Sequence, residues 1–162
     1  MVKQLFLGLR SVVVSSLFVL LWWWLATLVR RYDRNLGVSI PAGFTPLGWI
    51  LAVAGGLFAA WCVFTFATRG QGTPAPFDPP RRFVASGPYR FVRNPMYVGG
   101  LGLLAGGGLS LRSPAILLLA GAGWLLSHLF VITYEEPVLE SSFGDSYREY
   151  KARVHRWLPR WP

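Results

Sequence analysis

Sulfur and imidazole ligands are scarce in this sequence. Cys62 is the only cysteine, and His128 and His155 are the only histidines. A lone cysteine excludes a disulfide within the chain, and one thiol with two imidazoles leaves too few ligands for a structural zinc site. We therefore predict no metal site. Cys62 lies inside an apolar run and is interpreted as a packing residue.

Charged residues are also few. They make up 14% of the 162 residues, whereas hydrophobic residues make up 53% and the mean hydropathy is +0.42. This is the composition of a membrane protein. Acidic residues are fewer than basic residues, 7 against 16, so the net charge is +9. Because the basic residues lie between apolar runs and not along one polar face, they indicate loops facing anionic lipids and exclude a nucleic-acid partner.

Long uncharged runs dominate what is present. The run from Ser11 to Val29, at about 1.5 Å per residue, is close to the thickness of one bilayer core. Three more runs of similar character follow it. We predict one all-α integral membrane domain over residues 1–162, with four transmembrane helices at about 11–29, 47–67, 95–111 and 115–136.

The segment after the fourth run changes character. Phe143, Tyr147, Tyr150 and Val154 recur at helical spacing with charged residues between them. This pattern predicts an amphipathic interfacial helix at about 142–155, folded back over the helix ends. Ser142 with Asp145 resembles a capping box at its start.

The basic residues are divided unequally between the two ends of the predicted helices. With four spans, one end holds Arg30, Arg31, Arg34 and Arg112, and the other end holds the remaining 12 of the 16 basic residues. The positive-inside rule places the 12 in the cytoplasm. Both termini, the Pro/Gly-rich loop at 69–88 and the double glutamate then lie on the cytoplasmic side of the membrane. In a bacterium this membrane is the cell inner membrane. We expect the loop to be a structured, non-helical cover over a site.

The segment from Gly87 to Gly99 joins that loop to the third apolar run. Proline disfavours a helical conformation in the residue before it, so Asn94 is a natural N-cap and Pro95 the first helical residue. A helix N-terminus flanked by Arg90 and Arg93 suits an anion. The alternative is a membrane-anchoring loop whose arginines touch lipid phosphates.

The third run is rich in glycine. Gly102 and Gly106 form a small-xxx-small pair, which indicates close helix packing within lipid. Gly121 and Gly123 of the fourth run are available to face these glycines. The alternative is that the glycines leave room for a ligand against the backbone.

Two adjacent carboxylates, Glu135 and Glu136, end the fourth run. Carboxylates are unfavourable at a helix C-terminus and near the bilayer unless they bind a partner. We therefore favour a ligand role over an idle surface pair. His128 lies about two turns below on the same face and is interpreted as a buried hydrogen-bonding residue rather than a catalytic one.

Two motifs in the C-terminal half resemble a known superfamily. The first is Gly87-Pro88-Tyr89-Arg90, followed by Arg93-Asn94-Pro95-Met96-Tyr97 and Gly99. The second is Tyr134-Glu135-Glu136-Pro137, followed by Leu139, Phe143-Gly144, Tyr147, Tyr150 and Val154. In this order, separated by one helical hairpin, they resemble the isoprenylcysteine carboxyl methyltransferase and phospholipid methyltransferase superfamily over roughly residues 70–159. The resemblance implies a membrane enzyme that transfers a methyl group from S-adenosyl-L-methionine to a lipid-like or prenylated acceptor.

The resemblance also implies where the cofactor lies. Its expected site is the cytosolic face, between the third helix, the fourth helix and the C-terminal segment. This chain has Arg93-Asn94-Pro95 where the isoprenylcysteine branch usually has Arg-His-Pro, and its motifs look more like the phospholipid N-methyltransferase branch. Because an asparagine cannot titrate, Asn94 is not expected to act as a base. The acceptor is left open between a carboxylate and an amine.

Methyl transfer from a sulfonium is an in-line displacement, so the protein mainly positions two partners. The carboxylates suit ribose hydroxyls or the cofactor ammonium, and the arginines suit its carboxylate or a lipid phosphate. A tyrosine ring face suits the sulfonium. An amine acceptor must first lose a proton, to Glu136 or to water. The predicted catalytic residues are Arg93, Asn94 and Glu136, and the predicted cofactor-binding residues are Tyr89, Arg90, Asn94, Pro95, Tyr97, Gly99, Glu135, Glu136 and Tyr147.

Two other classes of protein fit the pattern less well. One is a membrane reductase that uses NADPH, because some membrane reductases share a similar C-terminal pattern. The other is a non-catalytic four-helix membrane scaffold. The sequence indicates no oligomeric state.

Overall fold

The computed structural model describes residues 2–70 and 83–159, and every regular element in those two ranges is helical. The helices are α1 (Val2–Arg30), α2 (Asp33–Leu36), α3 (Thr45–Thr65), α4 (Pro95–Ser110), α5 (Pro114–Phe130) and α6 (Glu136–Arg153). Short turns precede α3 (Ala42–Phe44) and α4 (Gly87–Arg90), and π-helical turns follow α3 (Phe66–Gly70) and α5 (Val131–Glu135). Most of the predicted loop cover, at 71–82, lies outside the described residues.

Helices α3 and α4 make the closest contact in the fold, backbone against backbone. A Cβ built on Gly55 would lie 2.5 Å from the nitrogen of Leu103, and one on Gly99 would lie 2.7 Å from the nitrogen of Ala59. A Cβ on Gly106 would collide with the backbone of Ala52. The glycines of α4 thus remove the side chains that would hold the two helices apart.

The expected partner of those glycines was wrong. Nothing lies within 4 Å of a Cβ built on Gly121. One on Gly123 would come closest to the ring of Trp22 in α1, at 2.8 Å, and to the Leu101 side chain of α4, at 3.2 Å, and not to a glycine. Gly99, Gly102 and Gly106 face α3, which supplies its own small residues, Gly48, Ala52 and Gly55, along one buried face. A Cβ on Gly108 would instead meet Leu117 and Ile116 of α5.

Two helical stretches, Ala42–Thr65 and Pro114–Arg153, are long and apolar enough to cross a membrane. Only 17% and 28% of their most apolar windows are buried inside the protein, whereas a core helix of a soluble protein would be mostly buried. Large apolar side chains such as Trp23, Ile50, Leu57 and Leu126 point outward, each at least 66% exposed. In a membrane these surfaces contact lipid tails.

The fourth predicted helix and the amphipathic helix are not separated as expected. Helix α5 runs through the π-helical turn into α6, which begins at Glu136 and not near residue 142. Direction changes later, at Gly144, whose φ of 52° and ψ of −126° are non-helical. The predicted capping box does not start a helix, because Ser142 and Asp145 both lie within α6, and the Asp145 carboxylate accepts a hydrogen bond from Arg148 at 2.7 Å. Across the bend, Lys151 pairs with Glu140 at 2.7 Å.

The opposite end of the helices is held by a partly buried capping contact. Asp33 Oδ1 accepts hydrogen bonds from Ser113 Oγ at 2.9 Å and from the backbone nitrogen of Ala115 at 3.0 Å. Ser113 Oγ in turn accepts from Ile116 N at 3.2 Å. These bonds satisfy N–H groups that the first turn of α5 would otherwise leave unpaired.

The α3–α4 contact predicts opposite effects for two neighbouring glycines. Gly106→Ala places a methyl group against the backbone of α3 and should lower the free energy of unfolding by about 1–3 kcal/mol through overpacking. Gly107→Ala meets nothing within 4 Å and gains helix propensity, so it should be neutral or stabilising. Melting temperatures of both variants in detergent provide the measurement. Equal values would show that α3 and α4 are not in backbone contact.

Candidate functional site

The turn before α4 is built from residues with restricted conformations. Gly87 has φ of 63°, a region that favours glycine. Helix α4 begins at Pro95 and Asn94 is its N-cap residue by position. The Asn94 side chain, however, does not cap the helix. Its amide donates instead to the carbonyl oxygen of Arg156 at 3.2 Å, so Asn94 fixes the C-terminal segment against the start of α4.

Residues 154–157, here called the C-terminal strap, cross over this turn. The backbone nitrogen of Arg93 donates to the His155 carbonyl at 2.9 Å, and that of Asn94 donates to the Arg156 carbonyl at 3.3 Å. The Trp157 indole donates to His128 Nδ1 at 3.0 Å. The strap therefore connects the start of α4 to α5.

Glu136 lies between two arginines. Its Oε1 is 3.0 Å from Arg93 Nη1 and accepts a hydrogen bond from Arg156 Nε at 2.7 Å, and its Oε2 accepts from Arg156 Nη2 at 3.0 Å. The exposed fractions of the Arg93 and Glu136 side chains are 10% and 11%. Bonding to Glu136 raises the pKa of Arg156 above its usual value. Two cations and one anion leave this cluster with a formal charge of +1.

The ion pair with Glu136 does not satisfy all hydrogen-bond donors of Arg93. Arg93 Nε and Nη1 are buried and have no hydrogen-bond partner among the described residues. The 3.0 Å approach of Nη1 to Glu136 is an ion pair without hydrogen-bond alignment. Because buried donors are normally paired, these two atoms are candidates for contact with a ligand.

Glu135 has a different environment from its neighbour. Its Oε2 accepts a hydrogen bond from the Tyr97 hydroxyl at 3.2 Å. An ionised carboxylate can accept about four hydrogen bonds, so Glu135 keeps lone pairs for a donor from a ligand. The two adjacent glutamates are thus unequal, since Glu136 already holds two guanidinium groups.

Four rings cover the side of the site next to α5. The Trp157 ring lies 6.3 Å from Tyr97, 6.4 Å from Trp124 and 6.0 Å from His128, measured between ring centroids. His128 stacks on Trp124 at 5.4 Å. His128 is therefore a hydrogen-bond acceptor within an aromatic layer.

Several predicted site residues lie away from the charged cluster. Arg90 is exposed, with its guanidinium 4.5 Å from the centroid of Phe91. Gly99 is buried against α3, and Pro95 is fully buried at the start of α4. Tyr89 accepts a hydrogen bond from Tyr150 through its carbonyl, and burial raises the pKa of its phenol.

Tyr147 lies in the cluster but offers little ring surface. It is 2% exposed, and its ring centroid is 5.9 Å from that of Phe83 in an edge-to-face pair. Phe83 also packs on Phe143 and Tyr150 at 5.5 and 5.1 Å. The described end of the loop thus covers α6 with an aromatic contact.

An open groove adjoins the cluster. Its volume is about 490 Å³, and it lies inside the bend of α6. Glu136, Glu140, Arg148 and Lys151 line it together with Ile132, Pro137 and Ser141. Glu136 therefore lines the groove and also pairs with Arg93 in the charged cluster.

Reasoning from the sequence missed the contribution of the strap. Neither Arg156 nor Trp157 is among the predicted site residues, although their side chains contact Glu136 and His128. These contacts join residues 20 and 29 positions apart. The one local signal was a concentration of basic and aromatic residues after the amphipathic helix.

Comparison with known proteins gives a family match over most of the chain. The family model described as phospholipid methyltransferase matches residues 44–146. This range contains the turn before α4, both glutamates and most of α6. It ends before the strap.

Two curated bacterial proteins are similar in sequence. The cobalt-zinc-cadmium resistance protein CzcN of Cupriavidus metallidurans is 30% identical over 84% of this chain and 58% of its own length. Methanethiol S-methyltransferase 1 of Bradyrhizobium diazoefficiens is 31% identical over 89% of this chain and 50% of its own length. The chain therefore spans between half and three fifths of these relatives.

A solved structure shares the fold. The eukaryotic intramembrane Ras methyltransferase ICMT, an isoprenylcysteine carboxyl methyltransferase, matches with a TM-score of 0.63 at 18% identity, over 89% of this chain and 53% of that chain. This likeness concerns the arrangement of the helices. The family match shows that the chain belongs to the phospholipid methyltransferase family, and the structural match shows that it shares the fold of isoprenylcysteine carboxyl methyltransferase.

Proposed function

We propose that the protein transfers a methyl group from S-adenosyl-L-methionine to a lipid-like acceptor at the cytosolic face of a membrane. The observation that carries this proposal is the buried cluster at the start of α4. There, Arg93 lies against Glu136 with two donors that have no hydrogen-bond partner in the described part of the chain, and the Tyr97 hydroxyl donates a hydrogen bond to Glu135. Family membership supplies the reaction class.

The residues present fit the cofactor. Its carboxylate requires cationic donors, and two buried nitrogen atoms of Arg93, Nε and Nη1, have no hydrogen-bond partner among the described residues. Its ammonium and ribose hydroxyls require acceptors, and Glu135 has free lone pairs beside Tyr97. When bound, the cofactor supplies an electrophilic methyl group on a sulfonium.

The chain's own residues would orient the partners and exclude water. Asn94 holds the strap in place and contributes no base. If the acceptor is an amine, Glu135 is better placed than Glu136 to take its proton, because both oxygens of Glu136 are bonded to guanidinium groups. A carboxylate acceptor needs no proton removal. This assignment replaces the sequence-based choice of Glu136.

A lipid-like acceptor agrees with the surroundings of the site. Apolar side chains cover the outer faces of α3 and α5, so an acceptor with a hydrocarbon tail reaches the start of α4 along the bilayer. The two relatives described by their acceptors act on isoprenylcysteine and methanethiol. We favour a lipid because the site opens next to membrane-facing surfaces.

We further propose that α1, α3, α4 and α5 each cross the membrane, with both termini and the site in the cytoplasm. Excess positive charge beside the site supports this orientation. Arg93, Arg156 and Lys151 lie at one end of the helices. At the other end, the Arg112 side chain donates a hydrogen bond to the Ile40 carbonyl, near Asp33.

Cofactor binding tests the proposed function. Isothermal calorimetry in detergent should show that the wild-type protein binds S-adenosylhomocysteine and does not bind NADPH. Glu135→Gln should weaken S-adenosylhomocysteine binding by about 10- to 150-fold, because one charge-assisted hydrogen bond contributes roughly 1.5–3 kcal/mol.

Glu149→Gln is the matched control, since Glu149 is 72% exposed on α6. The Glu149→Gln variant should bind S-adenosylhomocysteine with the affinity of the wild type. Binding of NADPH in place of S-adenosylhomocysteine would favour a reductase, and binding of neither would favour a scaffold.

Orientation is tested by labelling single cysteines in intact cells, in a Cys62→Ala background. Ala85→Cys is placed on the site side and Gly43→Cys on the other side, and both positions are exposed. A membrane-impermeant maleimide should label position 43 and not position 85. The reverse pattern would invert the proposed topology.

A further inference from the structure

Arg156 belongs to the charged cluster, although it lies outside both sequence motifs. It follows the residues matched by the family model, which end at 146. Its side chain forms a two-point contact with Glu136, at 2.7 Å through Nε and at 3.0 Å through Nη2. It is 29% exposed, so this contact is formed at the edge of the buried cluster.

The contact determines what Arg93 can bind. A guanidinium beside a carboxylate commonly forms two parallel hydrogen bonds with it. Here Arg156 occupies that arrangement on Glu136, and Arg93 approaches Oε1 through Nη1 alone. The Nε and Nη1 donors of Arg93 are consequently left without hydrogen-bond partners among the described residues.

We propose that Arg156 is a positioning residue that acts through Glu136 and keeps the donors of Arg93 available to an anionic group of a ligand. This inference rests on the proposed function. The anionic group is a carboxylate on the cofactor or a phosphate on the acceptor lipid, which make the same kind of contact with a guanidinium. Without Arg156, Glu136 is free to form both hydrogen bonds with Arg93 and to neutralise it.

The strap allows the side chain of Arg156 to be tested separately from the fold. Its backbone carbonyl, not its side chain, accepts the hydrogen bonds from Asn94. Trp157 is attached independently to His128. Replacing the Arg156 side chain therefore leaves the other attachments of the strap in place.

The first arm compares two ligands that differ in the amino-acid group. S-adenosylhomocysteine carries a carboxylate, and 5′-methylthioadenosine lacks it. If the anion is the cofactor carboxylate, Arg156→Gln should weaken S-adenosylhomocysteine binding in calorimetry by about 10-fold or more and leave methylthioadenosine binding unchanged. Arg156→Lys should give an intermediate loss, because an ammonium keeps the charge and lacks the planar two-point geometry.

Arg153→Gln is the matched control, because Arg153 is 74% exposed and pairs with Glu149 on the outer surface of α6. It should bind both ligands as the wild type does. In a Glu136→Gln background, Arg156→Gln should cause little further loss, since the residue through which it acts has been altered.

The second arm distinguishes the source of the anion. Binding of dihexanoyl phosphatidylethanolamine is compared with binding of dihexanoylglycerol, which has no phosphate. A loss confined to the phosphate-bearing lipid supports the role of Arg156 with the acceptor as the anion. Equal losses for both members of each pair, or no loss in either pair, would overturn the inference. Failure of the wild type to bind S-adenosylhomocysteine would contradict the proposed function itself, a result distinct from a variant that binds like the wild type.

Discussion

One shared carboxylate connects the parts of this structure that are far apart in sequence. Glu136 begins α6, Arg93 precedes α4, and Arg156 belongs to the strap, and the two guanidinium groups meet on its oxygens. A buried charge without a partner is strongly unfavourable. Each member of the cluster therefore stabilises the positions of the other two. The backbone pairing of the strap with residues 93 and 94 adds a second attachment at the same place.

The cluster also explains why two neighbouring glutamates have different roles. Glu136 is directed into the protein and is surrounded by cations, whereas Glu135 is directed to Tyr97 on α4. Glu135 and Glu136 both have helical backbone angles. Adjacent side chains of a helix point about 100° apart, so the two carboxylates face different neighbours.

Hydropathy was enough to locate most of the helices, because an apolar run of suitable length has few other stable conformations in a bilayer. Asn94-Pro95 likewise marked the start of α4, since proline restricts the residue before it. The packing partner of the α4 glycines was not predictable, because both α3 and α5 contain small residues. The sequence does not show which of these two helices packs against the glycine face of α4. Nor was the strap, whose contacts depend on pairing between residues 62 positions apart. The charges of Glu135 and Glu136 pointed to a site, but their distinct partners depend on the three-dimensional fold.

The α3–α4 contact has a mechanical consequence. Because the backbones of Gly55 and Gly99 approach without side chains between them, sliding one helix past the other would drive the larger flanking side chains into backbone. Tightly packed contacts of this kind move as one body. Helices α3 and α4 therefore form one rigid unit, which keeps Arg93 and Tyr97 in position. A ligand of the proposed site would then enter and leave on the facing side, where Gly144 interrupts α6 and the strap is attached through hydrogen bonds to residues 93 and 94.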